Sequence, residues 1–233
     1  MIPAGVRLLS FDLDDTLWPC KPVIQRAERV VYDWLARHTP RITEALSLEA
    51  MWAQRKAFMA EHPELVHDLT EVRRRTLSAL MVEFGYPVEL AEEATGVFRR
   101  ARNQVEPYPD VVPVLKKLRR RYLLVSVTNG NAQVEQTPLR GLFHLNLTSA
   151  DVGRAKPHPA LFEAAARWAG LAPEAMLHIG DDPERDILAA RRAGLHQLWL
   201  TRRPGTPWPY LEHPPPPTLA HLGPLVEGEA PDA

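Results

Sequence analysis

The stretch 8-LLSFDLDDTLW-18 decides how the chain is organised, because an apolar run is followed immediately by a cluster of carboxylates. Residues 6–11, VRLLSF, have the length and the composition of a buried β-strand. Asp12, Asp14 and Asp15 therefore follow the carboxyl end of a predicted strand. Like charges this close together need a cation or a proton to balance them. We expect a functional site at the end of this strand.

The composition is that of an ordinary globular protein. The 233 residues carry a net charge of −1, and 45% of them are hydrophobic. This is enough for a sizeable core, without a basic field that would attract nucleic acid or anionic lipid. No apolar stretch approaches the roughly 18 residues of a membrane span, and the single cysteine is typical of a reducing compartment. We expect a cytoplasmic protein that acts on a small molecule, with no nucleic-acid or membrane partner; the oligomeric state stays open.

Two patterns follow the carboxylates. Apolar residues recur at helical spacing in the first half of the chain, which predicts a small bundle of four helices at 22–38, 48–62, 65–85 and 87–104. From Asp110 onward, predicted helices alternate with predicted strands at 122–130, 145–151, 175–182 and 196–200. This alternation predicts an α/β fold with a parallel, Rossmann-like sheet.

The simplest assembly places the first strand in the same sheet. Residues 1–18 and 107–233 then form the α/β core, and residues 19–106 are an all-helical domain inserted into its first crossover. A helical connection is expected before Phe143. The proline-rich stretch 202–218 predicts a turn and an extended surface segment, followed by a short final helix at most.

Two smaller signals lie near other predicted strand ends. Thr128 is followed by Asn129, Gly130 and Asn131, and a hydroxyl group with successive backbone N–H groups can cradle an anionic oxygen. Taken alone, this pattern is more often an ordinary Asn-Gly turn after a strand. Lys156 precedes a predicted helix, and in a chain whose positive charges are mostly arginine it is a candidate phosphate ligand. A solvated surface lysine is the alternative.

A second group of acids, Asp181, Asp182 and Asp186, follows the strand at 175–182. Asp182 is suited to capping the next helix, and the group also offers oxygen ligands for a hard cation such as Mg²⁺. The nine histidines lack the paired spacing of a zinc site. Ligands of parallel sheets bind beyond the carboxyl ends of the strands, so the coincidence of these groups there indicates a single active site.

In this order, DLDDT at 12–16, TNG at 128–130, Lys156 and GDDPERD at 180–186 resemble the four motifs of the haloacid dehalogenase superfamily. Most members of that superfamily are Mg²⁺-dependent phosphatases or phosphomutases. The resemblance covers essentially the whole chain. It implies a Rossmann-like core with an inserted helical cap of the C1 type.

The resemblance also implies roles for the acids. Asp12 would be the nucleophile that forms an aspartyl-phosphate, and Asp14 would protonate the leaving alcohol and then activate water. Asp12, the backbone carbonyl of Asp14 and Asp181 would hold Mg²⁺. Asp15 would make backbone hydrogen bonds in the turn. The dehalogenases of the superfamily lack the acid at position 14, because a halide leaves without a proton, so dehalogenation is disfavoured.

The remaining motif residues would bind phosphate or support those that do. Thr128 and the backbone of Asn129 would bind the transferred phosphoryl group, and Lys156 would neutralise its charge. Asp182 or Asp186 would support the metal from outside its ligand sphere or orient Lys156.

A further resemblance, carried by 11–35, 66–80 and 127–135, is to a bacterial phosphatase branch of flavin metabolism. Its members dephosphorylate 5-amino-6-(5-phospho-D-ribitylamino)uracil, FMN and various sugar phosphates. Substrate choice would come from the cap, where the candidate contacts are Trp18, Lys21, Arg26, His67 and Arg74. A hinge or core role for the tryptophan and solvated helical faces for the arginines are the alternatives. A phosphomutase, a broad-specificity sugar or nucleotide phosphatase and a non-catalytic binding module are the alternative functions.

Overall fold

The structure, a computed structural model, describes residues 1–227. Within it the chain divides into two compact units. The sheet unit comprises Met1–Pro19, Glu106–Gly130 and the chain from Pro138 onward; the helical unit comprises Cys20–Val105 and Asn131–Thr137. We predicted the short second piece as part of the α/β core.

The sheet unit is built on six parallel strands, which confirms the predicted α/β fold. The strands are β1 (Leu8–Phe11), β2 (Leu123–Thr128), β3 (Leu145–Thr148), β4 (Met176–Gly180), β5 (His196–Leu200) and β6 (Thr218–Leu219). Their order is β3-β2-β1-β4-β5-β6, with every neighbouring pair parallel. The chain places β2 and β3 on one side of β1 and the later strands on the other, so a topological switch point lies beside β1.

The central strands are apolar because they are buried. All four residues of β1 and all five of β4 are buried. A hydrophobic cluster that includes Leu8, Val125, Val127, Phe162 and Met176 packs around them. Counted along the whole chain, the helices of this unit are α6 (Val111–Leu118), α7 (Ser149–Val152), α8 (Ala160–Ala169) and α9 (Ala189–Arg192).

Three local predictions for the second half of the chain need correction, and the short final helix is reduced to a single turn. The proline-rich stretch ends in β6, which pairs with β5 through two residues and carries no periodic pattern of its own. The expected helical connection before Phe143 is only a 3₁₀ turn, Val134–Gln136. The helix expected after β4 begins as a π-helical segment, Pro183–Leu188, before α9. The short final helix is a 3₁₀ turn, Gly223–Leu225.

The helical unit contains α1 (Cys20–His38), α2 (Pro40–Ala45), α3 (Leu48–Glu61), α4 (Leu69–Glu83) and α5 (Leu90–Arg102). Four of these correspond to the predicted helices, and α2 is an additional short one. Ser47 caps α3 by accepting the N–H of Ala50, and Asp68 caps α4 by accepting the N–H groups of Thr70 and Glu71. Ala27, Val31, Leu35, Leu77 and Phe98 are among the buried side chains of its core.

A buried ion cluster crosses this helical core. The Glu28 carboxylate accepts hydrogen bonds from Arg73 at 2.6 and 3.1 Å and from Arg55 at 2.5 and 3.2 Å. The guanidinium of Arg73 also lies 3.3 Å from the ring centre of Phe98. Burial alone would raise the pKa of Glu28, but the two arginines lower it to about 2. The charged form of Glu28 therefore holds α1, α3 and α4 together.

The piece Asn131–Thr137 is attached to the helical unit by side-chain hydrogen bonds. Asn103 accepts the N–H of Gln133 at 2.8 Å and donates to Gln136 at 2.9 Å, while Asn131 donates to Thr70 at 3.2 Å. These partners are far apart along the chain, which is why no local pattern predicted the grouping.

Among the described residues, no helix is both long and apolar enough to cross a membrane.

Candidate active site

The carboxyl ends of β1, β2 and β4 bring the predicted site residues to one edge of the sheet. Phe11 of β1 lies opposite Ser126 of β2 and Ile179 of β4. The next residue, Asp12, donates its N–H to the Ile179 carbonyl at 2.9 Å. This register places the acids that follow β1 beside those that follow β4, at the switch point of the sheet.

Lys156 lies at the centre of the site. Its Nζ donates to Oδ1 of Asp12 at 2.8 Å, to Oδ1 of Asp186 at 2.6 Å and to the Val127 carbonyl at 2.9 Å. The residue is only 3% exposed, which excludes the alternative of a solvated surface lysine. Burial alone would lower the pKa of Lys156, but the charges of the two carboxylates raise it. The ammonium is therefore permanently charged at neutral pH.

Asp186 is held by three groups and in turn holds Lys156. Besides Lys156, its Oδ1 lies 3.2 Å from Nε2 of His178, and its Oδ2 accepts the N–H of Asp182 at 3.0 Å. Burial would raise the pKa of Asp186, but the Lys156 charge and the hydrogen bond from His178 lower it. Asp186 is thus an ionised orienting partner of Lys156, in accord with one of its two predicted roles.

The tautomer of His178 follows from its neighbours. The ring is fully buried, and burial lowers its pKa, so it is neutral at pH 7. An ionised Asp186 can only accept, so Nε2 carries the proton and Nδ1 accepts from the Ser10 hydroxyl at 2.9 Å. Ser10, His178 and Asp186 therefore form a buried chain that ends on Lys156.

Asp12 and Asp181 share the hydroxyl group of Thr16. Thr16 Oγ1 lies 3.3 Å from Oδ2 of Asp12 and 3.0 Å from Oδ1 of Asp181. Burial raises the pKa of Asp12 to about 7; the Lys156 charge opposes this rise, and the Asp186 charge adds to it. Burial and the Asp12 charge raise the pKa of Asp181 to about 8. The positive charge around these two carboxylates is therefore too small to keep their pKa values in the usual range of aspartate.

This donor set fits a hard divalent cation. Ligand oxygens of Asp12, Asp181 and Asp186 all lie within 4.8 Å of one another. When all three are ionised, the single ammonium of Lys156 leaves two negative charges uncompensated. A divalent ion with oxygen preference, such as Mg²⁺, balances that charge. The side chain of Asp14 lies outside this group, which leaves its backbone carbonyl as the predicted ligand.

The acid Asp14 is oriented by Trp18. The indole N–H of Trp18 donates to Oδ1 of Asp14 at 2.9 Å, and the ring is fully buried. This burial favours the core role for Trp18 over a wall of the substrate pocket. Asp15 is exposed, has the left-handed φ of 59° and donates its N–H to the Trp18 carbonyl at 2.7 Å, the turn contact predicted from the sequence.

Asn129 attaches the Lys156 loop to the turn after β2. Its Oδ1 accepts the Lys156 N–H at 2.7 Å and its Nδ2 donates to the Lys156 carbonyl at 2.8 Å. Thr128 is buried, and its hydroxyl oxygen accepts the N–H of Gly130 at 2.9 Å. The side chain of Asn129 is therefore used in positioning Lys156, while its backbone is the part predicted to bind phosphate.

Gly180 and Asp182 shape the turn after β4. A Cβ atom at position 180 would lie 2.4 Å from Cγ of Asp186, so this close approach needs glycine. Asp182 caps the following helical segment by accepting the N–H groups of Glu184 and Arg185 at 2.9 and 2.8 Å. Asp182 thus takes the capping role, and Asp186 points inward.

The remaining substrate candidates lie in the helical unit. Lys21 and Arg26 are exposed on α1, and the Arg26 guanidinium donates to the carbonyl of Gln104. Arg74 is bound to Glu71 by two hydrogen bonds of 2.7 Å, and His67 is half-buried before α4.

Five site residues escaped prediction: Ser10, Thr16, His178, Trp199 and Arg202. Ser10 and His178 had a usable signal, because each is a polar residue inside an otherwise apolar, buried strand. Thr16 ends the DLDDT motif. Trp199 donates to the Asp181 carbonyl and Arg202 to the Thr16 carbonyl, and neither contact has a local sequence signal.

Comparison with known proteins agrees with the motif resemblance. A family model for haloacid dehalogenase-like hydrolases matches residues 6–194. The chain is 32% identical over 203 residues to the 5-amino-6-(5-phospho-D-ribitylamino)uracil phosphatase YigB of Escherichia coli, covering 85% of each protein. It is 33% identical over 232 residues to a phosphoserine phosphatase of Thermus thermophilus, covering 87% of this chain and 92% of that protein.

A solved structure has the same fold. The crystal structure of a 2-haloacid dehalogenase from Pseudomonas syringae superposes with a TM-score of 0.88 at 35% identity. The match covers 95% of this chain and 97% of that one. The proteins similar to this chain are thus named for different reactions, phosphate-ester hydrolysis for the two relatives and dehalogenation for the solved structure.

Proposed function

The chain belongs to the haloacid dehalogenase-like hydrolase family, and on that basis we propose that it is a Mg²⁺-dependent phosphatase of small-molecule phosphate monoesters. The observation that carries the proposal is the meeting of Asp12, Lys156 and Asp181 at one sheet edge, with Asp14 oriented beside them by Trp18. A nucleophile, a fixed cation, a metal ligand and an acid are the groups that phosphoryl transfer through a covalent intermediate requires.

Each group has a defined task in this mechanism. A carboxylate oxygen of Asp12 attacks phosphorus, the bond to the ester oxygen breaks, and Asp14 supplies a proton to the departing alcohol. Asp14 then removes a proton from water, which attacks the aspartyl-phosphate and releases inorganic phosphate. Lys156, Thr128 and the backbone N–H of Asn129 stabilise the charge on the phosphoryl oxygens. Mg²⁺, held by Asp12, the Asp14 carbonyl and Asp181, would reduce the repulsion between carboxylate and phosphate.

For the substrate, we propose 5-amino-6-(5-phospho-D-ribitylamino)uracil or FMN. The support is the similarity to YigB over 85% of each protein, together with the motif resemblance in the helical region. Phosphoserine and glyceraldehyde 3-phosphate phosphatases at 33% and 30% identity make a broader range the main alternative. The helical unit is proposed to be the cap that selects among these esters, because the sheet-unit groups recognise only phosphate and metal. A cytoplasmic location stays a prediction.

Dehalogenation is a second candidate only because one 35% identical structure bears that name. The hydrogen bond from the buried indole of Trp18 to Asp14 argues against it. A departing halide needs no proton, whereas a departing alcohol does. An acid maintained in this orientation therefore supports ester hydrolysis.

The test is phosphate release with Mg²⁺ from the ribitylaminouracil phosphate, FMN, phosphoserine, sugar phosphates and nucleoside monophosphates, with chloride release from 2-chloropropionate measured in parallel. A kcat/KM for the ribitylaminouracil phosphate or FMN at least tenfold above the others, about 1.4 kcal/mol of discrimination, supports the flavin assignment. A flat profile leaves a general phosphatase. Chloride release without phosphate release overturns the proposal, and activity only with a bisphosphate primer indicates a phosphomutase.

A further inference from the structure

The carboxyl end of β5 contacts both acid-bearing loops through their main chain. The indole N–H of Trp199 donates to the carbonyl of Asp181 at 2.7 Å. Three residues later, Nε of Arg202 donates to the carbonyl of Thr16 at 2.9 Å. Neither side chain lies among the acids themselves, so both act on the backbone that carries them.

These contacts close a ring of four residues. The Thr16 hydroxyl already joins the two loops by its 3.0 Å contact with Oδ1 of Asp181. Trp199 and Arg202 complete the circuit from the opposite side, because Trp199 lies near the carboxyl end of β5 and Arg202 lies two residues beyond it. The spacing between the loop after β1 and the loop after β4 is thereby set by β5.

Both residues are themselves firmly held. Trp199 is 3% exposed, and its ring packs edge-on against Trp208 of the proline-rich stretch, with ring centres 5.2 Å apart. Arg202 donates from Nη1 to both oxygens of Asp110 at 2.8 and 2.9 Å and lies 4.3 Å from the ring centre of Tyr108. Its backbone has the left-handed φ of 46°, a conformation that a non-glycine residue keeps only where its surroundings enforce it.

We propose that Trp199 and Arg202 are positioning residues for the divalent-cation site. The proposal rests on the proposed function, in that it takes Asp181 and Asp12 as cation ligands. Groups that orient the ligands of a metal from outside its coordination sphere commonly change its affinity by about tenfold or more. A residue that only filled space in the fold would not change that affinity selectively.

The test compares Trp199→Phe with Trp208→Phe in the full chain. The two substitutions make the same chemical change, since Trp208 also donates its indole N–H to one carbonyl, that of His213 at 2.9 Å, away from the acids. Mg²⁺ binding is measured by calorimetry without substrate, and kcat is measured at saturating Mg²⁺. We expect Trp199→Phe to weaken Mg²⁺ binding about tenfold while kcat at saturation stays within about twofold, and Trp208→Phe to leave both unchanged.

Equal Mg²⁺ affinity in wild type, Trp199→Phe and Trp208→Phe would overturn the inference and leave the proposed function intact. Absence of phosphatase activity with normal Mg²⁺ binding would overturn the proposed function, and the affinity comparison would still decide the inference. No Mg²⁺ binding by the wild type would overturn both. If circular dichroism shows that Trp199→Phe does not fold, Arg202→Lys, which loses the Nε contact with Thr16, replaces it with the same expected loss and the same criterion.

Discussion

Nζ of Lys156 lies 2.8 Å from Oδ1 of Asp12, although 144 positions separate the two residues along the chain. The pair is buried, and its ammonium is also bound to Asp186 at 2.6 Å. The proposed nucleophile is therefore oriented before substrate arrives. A cation already in place for an incoming phosphoryl group needs little reorganisation during the reaction, which is the usual basis of electrostatic catalysis.

Asp12→Asn is expected to abolish turnover, by about 10³-fold or more, because the amide is a poor nucleophile and cannot form the aspartyl-phosphate. The measurement is kcat for the best substrate of the panel, with circular dichroism to verify folding. Asp15→Asn is the matched control in the same loop, since Asp15 is exposed and asparagine tolerates its φ of 59°. Substantial activity in a contaminant-free Asp12→Asn preparation would remove Asp12 as the nucleophile.

Asp14→Asn is expected to harm alkyl phosphates far more than aryl phosphates. An alcohol leaving group needs the proton that Asp14 supplies, whereas a nitrophenolate leaves readily without one. The measurement is the ratio of kcat/KM for a sugar phosphate to that for p-nitrophenyl phosphate. Equal losses on both would contradict the role of Asp14 as acid.

Gly180→Ala is expected to displace Asp186 and release Lys156, because the added Cβ would lie 2.4 Å from the Asp186 carboxyl carbon. Overpacking of this kind costs about 1–3 kcal/mol of stability, and we expect kcat to fall by about tenfold or more. Gly96→Ala in α5 is the control, since its added Cβ would approach Nη1 of Arg100 no closer than 3.4 Å. Unchanged kcat in Gly180→Ala would show that turnover does not depend on the position of the Asp186 carboxylate beside Lys156.

Mg²⁺ binding is expected to strengthen as pH rises from 6 to about 8 and to level off above that. Burial raises the pKa of Asp12 to about 7, and burial with the Asp12 charge raises that of Asp181 to about 8. Protons therefore compete with the cation below these values, and binding releases them. Calorimetry in buffers of different ionisation enthalpy measures this release. A pH-independent affinity with no proton release would contradict the assignment of these carboxylates as ligands.

Glu28→Gln is expected to destabilise the protein by about 3 kcal/mol at pH 7, because it leaves Arg55 and Arg73 without a buried countercharge. The shift of the Glu28 pKa from 4.5 to about 2 corresponds to a similar amount, at about 1.4 kcal/mol per pH unit. A lowered pKa of Glu28 means that, between pH 2 and 4.5, the folded protein binds fewer protons than the unfolded protein. The stabilising contribution of Glu28 is complete above pH 4.5 and is lost as pH falls toward 2.

The difference in unfolding free energy between wild type and Glu28→Gln should therefore shrink below pH 4.5, as followed by urea unfolding. Glu71→Gln is the matched control on α4, since Glu71 pairs with Arg74 and Arg75 at the surface. We expect it to cost at most about 1 kcal/mol. A Glu28→Gln loss no larger than that of Glu71→Gln would show that the buried cluster does not stabilise the helical unit.

Much of this architecture was predictable because it depends on local patterns. The apolar run at 6–11 and the alternation of helix and strand after Asp110 together predicted five of the six strands, and 3.6-residue periodicity predicted four long helices. The strand β6 escaped because two residues among prolines carry no period, and its place depends on pairing with β5. The attachment of residues 131–137 to the helical unit depends on Asn103, which is distant along the chain.

The sequence by itself determined which chemical groups are available: an ordered set of acids, a turn and a lysine at the ends of apolar strands, with an apolar pattern that can only be buried as a parallel sheet. The tertiary structure alone decided which of them act together. It assigned Asp186 rather than Asp182 to Lys156, placed Ser10 behind His178, and brought Trp199 and Arg202 to the carbonyls of the acid loops. The physical reason is that periodicity records only which side of a strand or helix avoids water, whereas a hydrogen bond between distant residues depends on strand order and register, which are settled when the whole sheet is packed.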